Sequence, residues 1–500
     1  SYDVQGSRDG QTWQTLYRVN RTSAPPVTTT KVGGAKTTPA EKIVVGPRDY
    51  IFLPETDVRY LRLSLTSPEV AANGFGIRDI SIKPLNWAAT PNDFMMMIAR
   101  DARRGDYPKE FLGEQSYWTV IGVDRDVAEA LINEEGMLEV GRGAFSIEPF
   151  LFVEGKLVTW NDAKISQIPD PEALPLPRVN WSAGDIELRI TAFAAGTPDS
   201  SVLYARYELT NTSKKYKKPT LYLVIRPMQV NPPWQFLNGP GGVTPIDSIS
   251  LQGASARVNA SKYVRSLASP SGFGGVTFNE GNIVEWLKAG KLPSRVVVAD
   301  NEGAATAAFS YQLELGPHAT SSPIDLAIPL HGGDLTVGQL ISAHRSAAPP
   351  PTTILPGMGE VNVGFQLENA RNEWREKLGR ASITLPPSAA RYTETMRANL
   401  GYILINKDGP AIQPGSRSYS RSWIRDGSLT STALLRLGHA ADVREFIDWY
   451  APYQYDNGKV PCCVDEHGAT PVPENDSHGE FIYLVAEYYR HTGDKAELEK

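Results

Sequence analysis

The chain has 500 residues, 41% hydrophobic and 21% charged, with ten tryptophans and a formal net charge of −6. This composition can bury sizeable cores and excludes a disordered chain, and the length asks for about three domains of roughly 100–200 residues each. No Lys/Arg block makes a nucleic-acid footprint, and no apolar run reaches the ~18 residues of a membrane span.

The only two cysteines, Cys462 and Cys463, are adjacent. They cannot make a disulfide framework and have no zinc-type spacing, so they read as small apolar fillers. No metal and no cofactor is expected, and the sequence leaves the oligomeric state open. Ser1 enters at once into strand alternation, while Asp494 to Lys500 read as the opening turns of a helix. The chain is therefore expected to be an internal piece of a longer protein, and a missing leader says nothing about export.

Residues 1–84 alternate in period two. Leu61, Leu63 and Leu65 share one face against Arg62 and Ser64, Ile80 and Ile82 repeat the pattern, and Asp9-Gly10 supplies turn chemistry. The phrases Tyr2-Asp3-Val4-Gln5, Ser7 to Trp13, Arg59 to Leu63 and Gly76 to Ile80 together resemble the later strands of a discoidin domain. Such domains often bind carbohydrate through loops at one end. Here those loops are incomplete, so no binding residue is named, and a purely packing β-module is the plainer alternative.

Residues 85–113 read as a helical connector, with Phe94 to Ile98 as an apolar patch and the methionines as core filler. Residues 114–345 read as a large antiparallel β-supersandwich. Its clear strands are 186–194, 202–210 and 219–226, and Val153 to Lys156 form a hairpin turn. Within it, Asn231-Pro232-Pro233-Trp234-Gln235-Phe236 cannot be a central strand. Trp234 either reaches a ligand held by a neighbouring domain or plugs the edge of the sandwich.

Residues 346–387 read as a linker, stiff at Ala347 to Pro351, with one helix carried by Leu367, Ala370, Arg371, Trp374 and Leu378. From residue 388 the period becomes 3.6, and helices are expected over about 388–406, 427–437, 440–451 and 477–491, followed by the start of another. Tyr392, Met396, Leu400, Ile403 and Leu404 would line the first. Leu429, Ala433, Leu434 and Leu437 would line the second, Val443, Phe446, Ile447 and Tyr450 the third, and Phe481, Leu484, Val485 and Tyr488 the fourth. Short links at Gly438 and Gly493 alternate with two long ones, so both long connections and two helix N-termini are expected at one end of a bundle.

That end offers Trp423, Arg425 and Asp426 before one helix, and Asp465, Glu466, His467, Glu474, Asp476, His478 and Glu480 before and at the start of another. Indole faces, guanidinium forks and carboxylates suit a sugar, whereas an Arg–Asp pair also suits a helix start. Ser477 and Glu480 have capping-box spacing, repeated by Asp494 and Glu497. Asp476 serves equally as a cap or a hydroxyl ligand, and neither histidine has partners at metal-ligand spacing.

Trp423-Ile424-Arg425-Asp426-Gly427, opening a helix that runs to Leu437, resembles the signature of the glucoamylase-like six-hairpin glycosidases. Asp476-Ser477 and the stretch Ala486 to Asp494 resemble that superfamily's second inner helix and the turn after it. The resemblance covers about residues 114–500. It implies a β-supersandwich followed by an (α/α)6 barrel, of which residues 388–500 would be the incomplete beginning, and an exported, extracytoplasmic protein. It also implies that Arg425 and Asp426, with Trp423 nearby, hold hydroxyls of a terminal sugar, and that the general acid is a Glu beyond Lys500. The expectation is thus part of an inverting glycoside hydrolase that removes a terminal sugar from an oligosaccharide or glycoside. Asp476 and Trp234 are further substrate-binding candidates, and the catalytic residues remain unknown. A glycoside phosphorylase and a non-catalytic carbohydrate-binding protein are the alternatives.

Overall fold

The structure, a computed structural model, describes residues 1–19, 48–53, 55–65, 77, 79–235, 239–332, 362–472 and 474–500. The stiff stretch Ala347 to Pro351, Phe236 of the aromatic loop, and Gly76 and Arg78 of the discoidin-like phrase lie outside them.

In the N-terminal piece Tyr2–Ser7 pairs antiparallel with Gln14–Val19 on one side and Tyr60–Leu65 on the other. The Asp9 carboxylate accepts from the backbone N–H of Gln11 and Thr12, each at 2.8 Å, and Gly10 takes the left-handed φ of 76° that the turn requires. Ile80 and Ile82 belong to no strand and are 60% and 74% exposed. Their alternation predicts a strand; among the described residues no strand pairs with it, and it is irregular backbone.

The connector forms α1 (Pro91–Asp101), started by a capping box between Thr90 and Asp93 with Pro91 at the first helical position. Its Met95, Ile98 and Ala99 pack with Tyr107, Phe111, Leu131, Met137, Met228 and Val230, and Met96 packs against this core; Met97 of the same run does not belong to it.

Two antiparallel sheets make the large β domain. The nine-stranded sheet is ordered Val297–Ala299, Ser248–Gln252, Ser255–Val258, Lys262–Ser266, Ile324–Pro329, Val202–Asn211, Ile186–Ala195, Arg178–Ala183 and Lys164–Ile168. The eight-stranded sheet runs Gly272–Val276, Thr306–Gln312, Thr220–Arg226, Ser146–Val153, Leu138–Glu139, Ala130–Asn133 and Trp118–Ile121, with Lys156–Val158 as a hairpin arm on Ser146–Val153. That hairpin turns at Glu154 and Gly155, both with positive φ, and the three strands expected most clearly are all present.

Period two explains how the sheets are used. Leu188, Ile190 and Ala192 of one strand and Leu203, Ala205 and Tyr207 of the next point into the sandwich. Phe193 and Ala195 of the first, and Val202 and Tyr204 of the second, point the other way into a separate core shared with the helices. The short α2 (Ile283–Lys288) lies on the outer face of the other sheet, over Phe150, Tyr222 and Val224.

The helical part comprises α3 (Val363–Leu378), α4 (Ala390–Ile405), α5 (Ile424–Arg436), α6 (Ala440–Tyr450), α7 (Ser477–Thr492) and α8 (Lys495–Leu498). The linker helix α3 buries Ala370, Trp374 and Leu378, while Arg371 and Arg375 reach Asp170 at 2.6 Å and Glu172 at 2.7 Å on the β domain. Of the face expected on α4, Leu400 and Leu404 are buried but Tyr392 is 60% exposed. Only the second half of that helix is covered, where the Arg125 N–H donates to Leu404 O at 3.3 Å.

Helix α5 departs from expectation in two ways. It begins at Ile424, so Arg425 and Asp426 lie inside its first turn, with Trp423 at the N-cap position. Its buried face is Ile424, Gly427, Ser428, Ser431, Thr432, Leu434 and Leu435, whereas Leu429 is 59% exposed. Small and hydroxylated residues occupy the face because neighbouring helices come close: Thr432 Oγ1 donates to Tyr483 Oη of α7 at 3.2 Å. A Cβ added to Gly427 would lie 2.4 Å from the Phe446 ring of α6.

Fully buried Lys407, just after α4, pairs with Asp442 in the first turn of α6, which also faces His439 at 3.1 Å. Burial alone would raise the Asp442 carboxyl. Its hydrogen bond to His439 and the Lys407 ammonium outweigh burial and hold it below the usual carboxylate range. Gly438 and Gly493 both take positive φ at the short links, as anticipated. Among the described residues no helix is long and apolar enough to cross a membrane.

Replacing Gly427 by Ala should overpack the α5–α6 contact and cost about 1–3 kcal/mol, read as a lower midpoint in thermal or urea unfolding. A midpoint equal to wild type would mean that the Phe446 ring can retreat freely.

Candidate functional site

The two long connections, 406–423 and 451–476, meet in a small antiparallel sheet. Ser422–Trp423 pairs with Cys463–Asp465, which pairs in turn with Gly468–Ala469, and the Ile424 N–H donates to Cys462 O at 3.0 Å. This sheet fixes the approach to α5. Trp423 has extended backbone, and its indole Nε1 is buried without a hydrogen-bond partner. Cys463 opens the middle strand of this sheet and Cys462 immediately precedes it; both are buried free thiols, and burial pushes Cys462 up to about 12.

In the first turn of α5, Arg425 reaches Asp476 at 2.9 Å and Glu474 at 3.2 Å, on the connection that leads to α7. The hydrogen bond to Arg425 draws the Asp476 carboxyl down, and the same bond raises Arg425. Both partners are about half exposed, so their attraction is screened and contributes little to stability. Asp426 beside them is partly exposed and makes no hydrogen bond or ion pair among the described residues. A carboxylate in the first turn of a helix is favoured by the helix dipole and is free to accept from an incoming donor. Four of the five sequence candidates therefore lie together at this end: Trp423 and Asp476 on the two joined connections, Arg425 and Asp426 in the first turn of α5.

The reading of α7 needs correction. Ser477 and Glu480 do not form a capping box: the N-cap position is Asp476, whose side chain makes no cap, and Glu480 accepts from Ser428 Oγ of α5 at 2.8 Å. Packing of α7 against α5 offers Glu480 a cross-helix hydroxyl. The buried Ser477 Oγ is left without a partner. At α8, Asp494 does cap, accepting from the Glu497 N–H at 3.2 Å, while Glu497 turns to Lys500 at 2.9 Å. The His467 side chain is largely exposed, and among the described residues no three His, Cys, Asp or Glu side chains gather as metal ligands would.

Trp234, the fifth candidate, is 39% exposed and so does not plug the sandwich. Residues 231–235 dock instead on the connection that precedes α5: Ser418 Oγ donates to Gln235 Oε1, and the Asn231 N–H donates to Glu139 Oε2 at 2.8 Å. Glu139 Oε1 accepts from Arg417 Nε at 2.8 Å, and Arg417 Nη2 donates to Glu129 O at 3.0 Å. Arg421 binds Asp465 at 2.8 Å. A cleft under the connector, lined by Lys109, Glu135, Glu148, Trp160 and Trp181, shares no residue with this cluster.

Sequence reasoning passed over Glu139 and Glu129. A carboxylate between Leu138 and Val140, in a stretch otherwise apolar, was the available signal, because buried carboxylates persist only with a partner. Neither carboxylate oxygen of Glu129 has a hydrogen-bond partner, and burial, opposed in part by Arg417, pushes it up to about 8. A carboxyl raised in the folded state stabilises the fold below its unfolded value and loses that contribution as pH climbs towards 8. Glu129→Gln should therefore gain stability relative to wild type as pH rises from about 5 to about 8.5, in paired thermal melts. A difference that does not change with pH would show that Glu129 is ionised throughout.

No family model matches the chain, and no curated protein matches it. Among solved structures it is similar to a bacterial glucoamylase complexed with acarbose, at 11% identity and TM-score 0.46, over 75% of this chain and 57% of that one. A human-microbiome protein assigned as a kojibiose phosphorylase gives 9% identity and TM-score 0.44, over 76% of this chain and 55% of that one. A GH92-family glycosyl hydrolase gives 10% identity and TM-score 0.35, over 74% and 53%. The chain thus spans a little over half the length of these structures.

Proposed function

We propose that the joined connections before α5 and α7 form the sugar-gripping side of a glycoside-active site, in a hydrolase that removes a terminal sugar. The observation that carries this reading is Asp426: a partly exposed carboxylate with no hydrogen bond or ion pair among the described residues, next in sequence to an Arg425 already oriented by Asp476 and Glu474. Adjacent hydroxyls of a pyranose donate to a carboxylate and accept from a guanidinium fork at one edge, while an indole covers its apolar face. Arg425 is already held, so the site loses less freedom on binding.

In this proposal the domain order, a discoidin-like piece, a connector, a β-supersandwich, a linker helix and the first helices of an (α/α)6 barrel, belongs to a glucoamylase-like six-hairpin glycosidase that works outside the cytoplasm. Inversion, if that is the stereochemical course, requires two carboxyl groups roughly 6.5–9.5 Å apart with water between them. The residues named here bind, and none is assigned proton transfer.

A screen of neutral mono- and disaccharides by saturation-transfer NMR, followed by titration calorimetry, tests the reading. Asp426→Ala should weaken binding by about 10- to 100-fold, the worth of hydrogen bonds to a charged acceptor, with circular dichroism and thermal midpoint near those of wild type. Undiminished affinity in that variant, or a wild-type chain that binds no neutral glycoside, would sink it.

A further inference from the structure

Glu139 lies in a two-residue strand of the β domain, fully buried, and its two oxygens serve two different segments. Oε2 receives the backbone N–H of Asn231, three residues before Trp234, and Oε1 receives Nε of Arg417, in the run that leads to Trp423. The remaining Arg417 donors are also committed: Nη1 to its neighbour Ser416 O at 2.9 Å and Nη2 to Glu129 O at 3.0 Å. A planar guanidinium with three directed bonds has no freedom to swing, and a carboxylate shared between two segments fixes one against the other. A second tie, Ser418 to Gln235, repeats the link closer to the surface. On the far side, Asn92 of α1 grips Gly241 O at 2.9 Å and the Val243 N–H at 2.7 Å, so the Trp234 segment has an independent anchor.

We infer that Glu139 is a positioning residue that sets the separation between Trp234 on the β domain and the Trp423–Asp426 edge on the helical part. It thereby governs affinity for glycosides long enough to touch both. The inference deepens the proposed function and rests on it for the ligand class, a neutral disaccharide or longer glycoside. On this inference a single sugar ring held at Arg425 and Asp426 touches one edge alone and should not sense the clasp.

The test pairs a ligand-free measurement with a ligand-dependent one. In hydrogen–deuterium exchange, Glu139→Gln, which replaces an acceptor by an amide nitrogen, should speed exchange in peptides covering 229–235 and 416–421 together. Asn92→Ala should affect the first peptide alone. Arg417→Lys, which keeps the charge but loses the fork, should reproduce the Glu139→Gln pattern if that variant folds poorly. In calorimetry with maltose and mannobiose against glucose and mannose, Glu139→Gln should weaken disaccharide binding at least tenfold and leave monosaccharide binding within twofold. Wild-type exchange in both peptides, or an equal loss for mono- and disaccharides, would overturn the inference, since a merely structural role weakens all ligands alike. Wild-type protein that binds neither these four sugars nor any neutral glycoside of the screen refutes the proposed function, while the exchange pattern still decides whether Glu139 couples the two segments.

Discussion

The molecule depends on strands that are buried on both faces. Ile186–Ala195 and Val202–Asn211 give alternate side chains to the sandwich and, near Phe193 and Tyr204, to the core shared with the helices. A strand that is apolar on both faces cannot satisfy one layer while leaving the other wet, so the helices need the sheet as much as the sheet needs them. The Arg371–Asp170 and Arg375–Glu172 pairs then lock the linker helix in register along the same sheet.

On that platform the site is built from irregular backbone. The strands that join the two long connections are only two or three residues long, and they would not persist in isolation. They persist because Ile424 is buried, Gly427 lets α5 sit against Phe446, and Ser428 meets Glu480 across α7. The packing of small residues on α5 and the position of the Arg425 guanidinium are thus parts of one arrangement.

Much of this could be read from the letters, and the exceptions have physical causes. Period-two and period-3.6 patterns placed the principal strands and helices, and glycines at 438 and 493 marked the short links. Leu429 misled because hydrophobicity was taken as the mark of burial, whereas close helix contact selects Gly427, Ser428 and Ser431. The apparent capping box failed because its Glu480 found a better donor on another helix, which local spacing cannot reveal. Ile80 and Ile82 alternate without gaining a strand partner. Glu139 escaped notice because its partners, Asn231 and Arg417, are 92 and 278 positions away. Such long-range pairings leave only one local trace, a charge where the pattern asks for none.

Those separations also bear on the order of assembly. A chain emerging from the ribosome presents Glu139 and Asn231 while Arg417 is still unmade, and closing a loop of that span is entropically unfavourable until the β domain is in place. Of the two partners that fix Glu139, Arg417 is thus the one synthesised last, 278 positions on. A chain whose helical part is misdocked leaves the buried Glu139 carboxyl without its guanidinium partner, so alignment of the two tryptophan-bearing segments is coupled to correct docking of the helices.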